Sequence, residues 1–158
     1  MKILFLGDSI TDMFRNREAD FQYNSYGFAY PLFIESELSV KYPRQYQVLN
    51  KGIGGNRVVD LYARIKADCW NHNPDIVSIF IGVNDVWHGL FDGIGDGVDI
   101  VRFEKVYRML IEDTKAVLPN ARFLLVAPFF LEASDQSVVG ICGLLVFTSD
   151  FIYEGNTM

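Results

Sequence analysis

Three short clusters in this sequence carry residue types that could do chemistry. Gly7-Asp8-Ser9-Ile10-Thr11-Asp12 directly follows an apolar run. A serine on a tight turn between a strand and a helix presents its hydroxyl outward, and the free N–H groups of a starting helix favour negative charge beside it. Asp and Ser are equally the residues that cap a helix N-terminus. Asn50-Lys51-Gly52-Ile53-Gly54-Gly55-Asn56 is the second cluster. A glycine there lets a backbone N–H approach a ligand with no Cβ in the way; the same run also makes a plain loop with Asn56 as a cap. Its spacing is not that of a dinucleotide-binding glycine motif. The third cluster is Gly82-Val83-Asn84-Asp85-Val86-Trp87-His88. Asn84 can donate a side-chain N–H to a developing oxyanion, or form an Asx turn that caps the next segment.

The elements around these clusters alternate in kind. Residues 3–6, 46–49, 76–81 and 123–127 are short apolar runs that read as strands. Residues 31–40 read as a helix with a proline in its first turn, and Ile34 and Leu38 lie four apart on one face. Val58, Leu61, Tyr62, Ile65 and Cys69 recur at helical spacing and define an amphipathic helix over 57–69. Phe103, Val106, Tyr107, Leu110, Ile111, Thr114 and Leu118 mark a long helix that Pro119-Asn120 stops. Residues 92–99 are a loop. Strands apolar on both faces with helices between them describe a parallel sheet covered on both sides. Ligands of such sheets bind at the carboxyl ends of the strands, and each of the three clusters falls just past a strand end.

Taken in order, Gly-Asp-Ser-Ile-Thr, Gly-Ile-Gly-Gly-Asn and Gly-Val-Asn-Asp resemble the first three sequence blocks of the SGNH (GDSL) hydrolases over roughly residues 1–135. The resemblance implies a three-layer α/β/α, flavodoxin-like fold in a single domain over residues 1–158. It implies Ser9 as nucleophile, with the N–H groups of Ser9 and Gly55 and the Asn84 amide as an oxyanion hole. On the substrate side stand Asp8, Asp85, Trp87 and His88: the two aspartates brace the loops, and Trp87 with His88 lines the acyl or alcohol pocket. The implied reaction is ester hydrolysis through an acyl-serine, on small acyl esters or carbohydrate acetyl esters, and needs no cofactor.

The resemblance breaks near the C-terminus. The family places its general base in an Asp-x-x-His motif, but the only histidines here are His72 and His88, and neither lies in such a motif. At 150–153 an Asp is kept and Tyr153 stands where the histidine belongs. Residues 136–158 therefore form an atypical tail, cut short or altered, and the esterase is expected to be impaired. His88 is a weak substitute base on the rim of the site; His72 is a residue at a helix end. A non-catalytic binding module of the same family is the alternative, and a nucleotide or phosphate binder of flavodoxin-like fold is a distant third.

Bulk properties restrict the partners. The formal charge is −6, from 14 basic and 20 acidic residues. That disfavours nucleic acid and an anionic membrane surface. The apolar stretch at 3–6 is too short for a secretion signal, which makes a cytoplasmic protein the expectation. Cys69 and Cys142 form no metal-ligand spacing and are expected as buried free thiols. The apolar run at 138–147 is too short to span a bilayer and reads as a fifth strand. With no amphipathic helix after it, one sheet face is left short of cover, and a homo-oligomer is expected.

Overall fold

A computed structural model describes residues 1–90 and 95–128. The strands are β1 (Lys2–Gly7), β2 (Gln47–Asn50), β3 (Ile76–Phe80) and β4 (Arg122–Val126). The helices are α1 (Ser9–Asp12), α2 (Tyr30–Lys41), α3 (Val58–Asp68), α4 (Val83–Leu90) and α5 (Ile100–Val117), with one 3₁₀ turn at Trp70–His72. All strand pairs are parallel and the order is β2-β1-β3-β4. A four-stranded parallel sheet with helices on both faces is the three-layer, flavodoxin-like fold expected.

Alternation along the strands sorts the core. Leu4, Leu6, Leu49, Val77 and Ile79 point to one face, where they meet Val58, Leu61 and Ile65 of α3 and Phe103, Tyr107, Leu110 and Ile111 of α5. A fully buried aliphatic or aromatic side chain contributes about 1.5–3 kcal/mol, so this double layer holds most of the stability. Ile3, Phe5 and Val48 point the other way, against Tyr30, Ile34 and Leu38 of α2. Pro31 occupies the first turn of α2, where its missing N–H has no partner to lose. The α5 start is set by Asp99, whose carboxylate accepts the Arg102 N–H at 3.0 Å. Cys69 is a buried free thiol, pushed up to about 12 by burial.

The expected elements recur with ends shifted by one to three residues. The addition is α4, which begins inside the third cluster. Its Val83, Val86, Trp87 and Leu90 follow helical spacing, a signal masked by the glycines on both sides. The expected fifth strand at 138–147, Cys142 and the 150–153 segment lie outside the described residues. No helix among the described residues is long and apolar enough to cross a membrane.

Candidate active site

The three clusters meet at the carboxyl edge of the sheet. Asp8 ends the turn after β1 and caps α1 by accepting the Ile10 N–H at 2.9 Å. Ser9 is thereby the first helical residue. It is exposed, and no described residue hydrogen-bonds its hydroxyl. The helix stops after one turn because Met13 and Phe14 take left-handed backbone conformations (φ 36° and 60°). Such conformations cost non-glycine residues about 1–2 kcal/mol each, so the surroundings must hold α1 in place.

The second cluster does so. Asn50 is buried; its amide N–H₂ donates to the carbonyls of Thr11 (2.6 Å) and Tyr26 (2.8 Å), and its Oδ1 accepts the Gly52 N–H. Gly52 lies flat on α1, with no room for a Cβ against the Thr11 and Asp12 backbone. Arg15 is buried and donates from Nε to the Gly52 carbonyl at 2.8 Å. Gly54 donates its N–H to Asp12 Oδ2 at 3.0 Å. A Cβ placed on Gly54 would sit 3.7 Å from Ser9 Cβ, so this loop runs directly beside the serine. Gly55 has φ +82°, a conformation that suits glycine, and no described residue lies near its Cβ position. Arg64 of α3 fastens the loop from behind, reaching Asn56 Oδ1, the Lys51 carbonyl and the Gly7 carbonyl.

The third cluster joins through Asn84 and Asp85 at the start of α4. Asn84 Nδ2 donates to the Asn56 carbonyl at 2.9 Å. Asp85 accepts the Val58 N–H on both oxygens, at 3.0 and 3.2 Å. It therefore caps α3 from another part of the chain, since the Arg57 side chain at the helix's own cap position cannot accept an N–H there. Asp8 and Asp85 are each 1% exposed. Each accepts a backbone N–H within the protein, Asp8 from Ile10 and Asp85 from Val58. Trp87 is partly exposed one turn further along α4.

Burial pushes the Asp85 carboxyl up to about 7, against the lowering pull of the Val58 N–H. Asp8 is also raised by burial, and its Oδ2 has no hydrogen-bond partner. The sign of the Asp85 effect follows from proton binding. Between about pH 4 and pH 7 the folded chain holds a proton that the unfolded chain has lost, so this group's contribution is full below pH 4 and fades as pH rises through 7. Asp85→Asn is therefore expected to gain in melting temperature relative to the native chain between pH 4 and pH 7, and to hold a constant offset above it. Melting curves of the two proteins that shift in parallel across this range would remove Asp85 as the source.

The two imidazoles sit elsewhere. His72 closes the 3₁₀ turn between α3 and β3, at the edge where the strands begin, and its carbonyl accepts from Lys2 Nζ. That is the wrong end of the sheet for Ser9. His88 lies one turn beyond Asn84 on α4, with Nδ1 3.2 Å from Asp96 Oδ1. Arg57 pairs with the same carboxylate at 2.9 Å. Arg57 and Asp96 thus join the loop before α3 to the loop before α5, a tie with no local signature in the sequence. Asp12 and Arg15 were likewise missed: their only signal is that they sit three and six residues past Ser9. Among the described residues no group of three or more His, Cys, Asp or Glu could hold a metal ion.

A one-turn helix presenting an exposed serine, a glycine loop fastened beside it and an asparagine reaching that loop define a class. Residues 5–145 match the GDSL-like lipase/acylhydrolase family, and the chain belongs to that family. Its relatives sharpen the comparison. It is 38% identical over 139 residues to an acetylxylan esterase of Geobacillus stearothermophilus, covering 85% of this chain and 63% of that protein. It thus spans somewhat less than two thirds of that relative. The crystal structure of Axe2, an acetylxylan esterase from the same organism, superposes with a TM-score of 0.84 at 33% identity, over 99% of this chain and 73% of that one. A GDSL-like protein from Parabacteroides merdae superposes at 0.86 with 35% identity, over 98% and 73% of the two chains.

Proposed function

We propose that this chain hydrolyses small acyl esters through an acyl-serine on Ser9, with acetyl esters of a carbohydrate as the favoured substrate class. The observation that carries the reading is the exposed Ser9 hydroxyl at the head of α1 with the Gly54–Gly55 backbone alongside. The acetylxylan esterase relative supports the acetyl-carbohydrate class. The exposed Trp87 adds an indole on which a sugar ring can stack.

In the proposed reaction Ser9 Oγ attacks the ester carbonyl carbon and gives up its proton. The carbonyl oxygen becomes an oxyanion, received by the N–H groups of Ser9 and Gly55 and the free N–H of Asn84. Such donors bind the tetrahedral state better than the planar ester, and one of them is worth about 10²–10³ in rate. The C–O bond to the alcohol then breaks and the alcohol leaves with a proton. Water attacks the acyl-serine, and the acid departs as Ser9 regains its hydrogen.

Proton removal is the weak step. His72 stands at the far edge of the sheet and His88 is turned to Asp96. We therefore read the chain as a slow esterase, since a serine hydrolase without one triad member retains only about 10³–10⁴-fold over water. The same observation favours the second reading, a binding module that keeps the donor pocket without turnover. A fluorophosphonate probe separates them. Slow covalent labelling at one site, located to the peptide containing Ser9, with slow p-nitrophenyl acetate hydrolysis, is the expected result. No labelling after prolonged exposure would favour the binding module. Rapid turnover at ordinary enzyme rates would sink the claim of impairment.

A further inference from the structure

Asp12 has a set of contacts that capping of its own helix does not explain. Its side chain is 8% exposed. Oδ2 accepts the Gly54 N–H from 42 residues away and also pairs with Arg17 Nη2. Oδ1 is buried without a hydrogen bond and lies 3.8 Å from Arg15 Nε. Arg15 in turn donates to the Gly52 carbonyl. The loop is thus gripped at two points from the serine's side, at Gly54 by an acceptor on α1 and at Gly52 by a donor on the turn that follows it. The next hold on the loop after Gly54 comes at Asn56, from Arg64 and Asn84. The last hold on the loop before Gly55 is the Asp12 carboxylate.

Charge supports the assignment. A bare carboxylate this close to Ser9 would oppose an oxyanion forming there. Arg15 and Arg17 offset that charge, which leaves the geometry of the hydrogen bond without the electrostatic cost. A simple surface ion pair would need neither the buried Arg15 nor the Gly54 N–H.

We propose that Asp12 is a positioning residue of the oxyanion pocket: it holds the Gly54 N–H so that the Gly54–Gly55 backbone keeps a fixed place beside Ser9. The catalytic consequence rests on the hydrolase reading above; the hydrogen bond does not.

The test uses the full chain labelled with ¹⁵N-glycine, in native, Asp12→Ala and Asp12→Asn forms, and reads Gly54 amide exchange together with kcat and KM for p-nitrophenyl acetate. In Asp12→Ala, Gly54 exchange is expected to speed up about 10–100-fold, as for loss of a hydrogen bond to a charged group. The kcat should fall by about the same factor with KM within twofold. Asp12→Asn, which keeps an acceptor oxygen, should recover most of both. Should Asp12→Ala not fold, Asp12→Ser, whose oxygen falls short of Gly54, takes its place with the same expectations. Unchanged Gly54 exchange overturns the proposal, and so does faster exchange with unchanged kcat. A native chain that neither turns over nor labels with fluorophosphonate defeats the hydrolase reading instead, and the exchange data alone then decide whether Asp12 holds the loop.

Discussion

Replacing Ser9 with alanine is expected to abolish fluorophosphonate labelling and to lower p-nitrophenyl acetate hydrolysis to what the donor pocket alone supports, while leaving the melting temperature within about 1–2 °C of the native value. The two halves of this result have separate causes. Ser9 Oγ holds no hydrogen bond to any described residue, and the side chain is exposed. Exposed substitutions with no partner to lose usually stay within about 0.5 kcal/mol. The cap of α1 comes from Asp8, which remains. Chemically the change removes the only protein atom in the proposed scheme that forms a bond to the acyl carbon. The donor pocket can still polarise a carbonyl, so a small residue of hydrolysis by water is allowed. Labelling that persists in Ser9→Ala, or an activity that falls only in step with stability, would place the reactive group elsewhere.

Gly52→Ala is expected to have the second largest effect, on both stability and rate. A Cβ on Gly52 would fall 2.7 Å from Thr11 C and 2.8 Å from Thr11 Cβ, and closer still to Asp12 N. These are backbone and near-backbone atoms of α1, so no flexible side-chain end can yield. Either the loop lifts or α1 moves, and overpacking of this kind costs about 1–3 kcal/mol. In a chain of this length that is a fall in melting temperature of roughly 2–12 °C. The displacement also separates the Gly54–Gly55 backbone from Ser9, and misplacement by about 1 Å can cost about 10²-fold in rate. Gly54→Ala provides the contrast. Its Cβ would meet Ser9 Cβ and Asp12 Oδ2 at an ordinary 3.7 Å. Stability should hold while the added methyl crowds the carbonyl site beside Ser9. Thermal melts and esterase rates on the two variants check this; a Gly52→Ala protein as stable and as reactive as the native chain would mean that the loop does not seat on α1.

The family assignment gives these experiments a frame. The chain shares the fold of acetylxylan esterase Axe2 over nearly its whole length. In the proposed scheme Ser9 needs a proton acceptor, and of the two histidines His72 stands at the opposite edge of the sheet and His88 faces Asp96. That is why labelling, which asks only for an activated hydroxyl, is the sharper probe than turnover.

The sequence alone determined the parts that depend on near neighbours. Apolar runs of four to six residues become buried strands, and 3.6-residue periodicity at Val58–Ile65 and Phe103–Thr114 turns one face of each helix to the core. Because parallel strands deliver their loops to one edge, the sequence places the Ser9, Gly54–Gly55 and Asn84 clusters together at that edge. What only the tertiary structure decided are bonds between side chains and distant backbone. Asp12 takes a peptide N–H 42 residues away, Asp85 caps a helix 27 residues before it, and Asp96 joins His88 to Arg57. No periodicity encodes such pairs. Asp12 and Asp85 are buried, so their carboxylates must find partners inside the packed chain, whereas Asp96 is half-exposed and its ties form where two loops happen to meet.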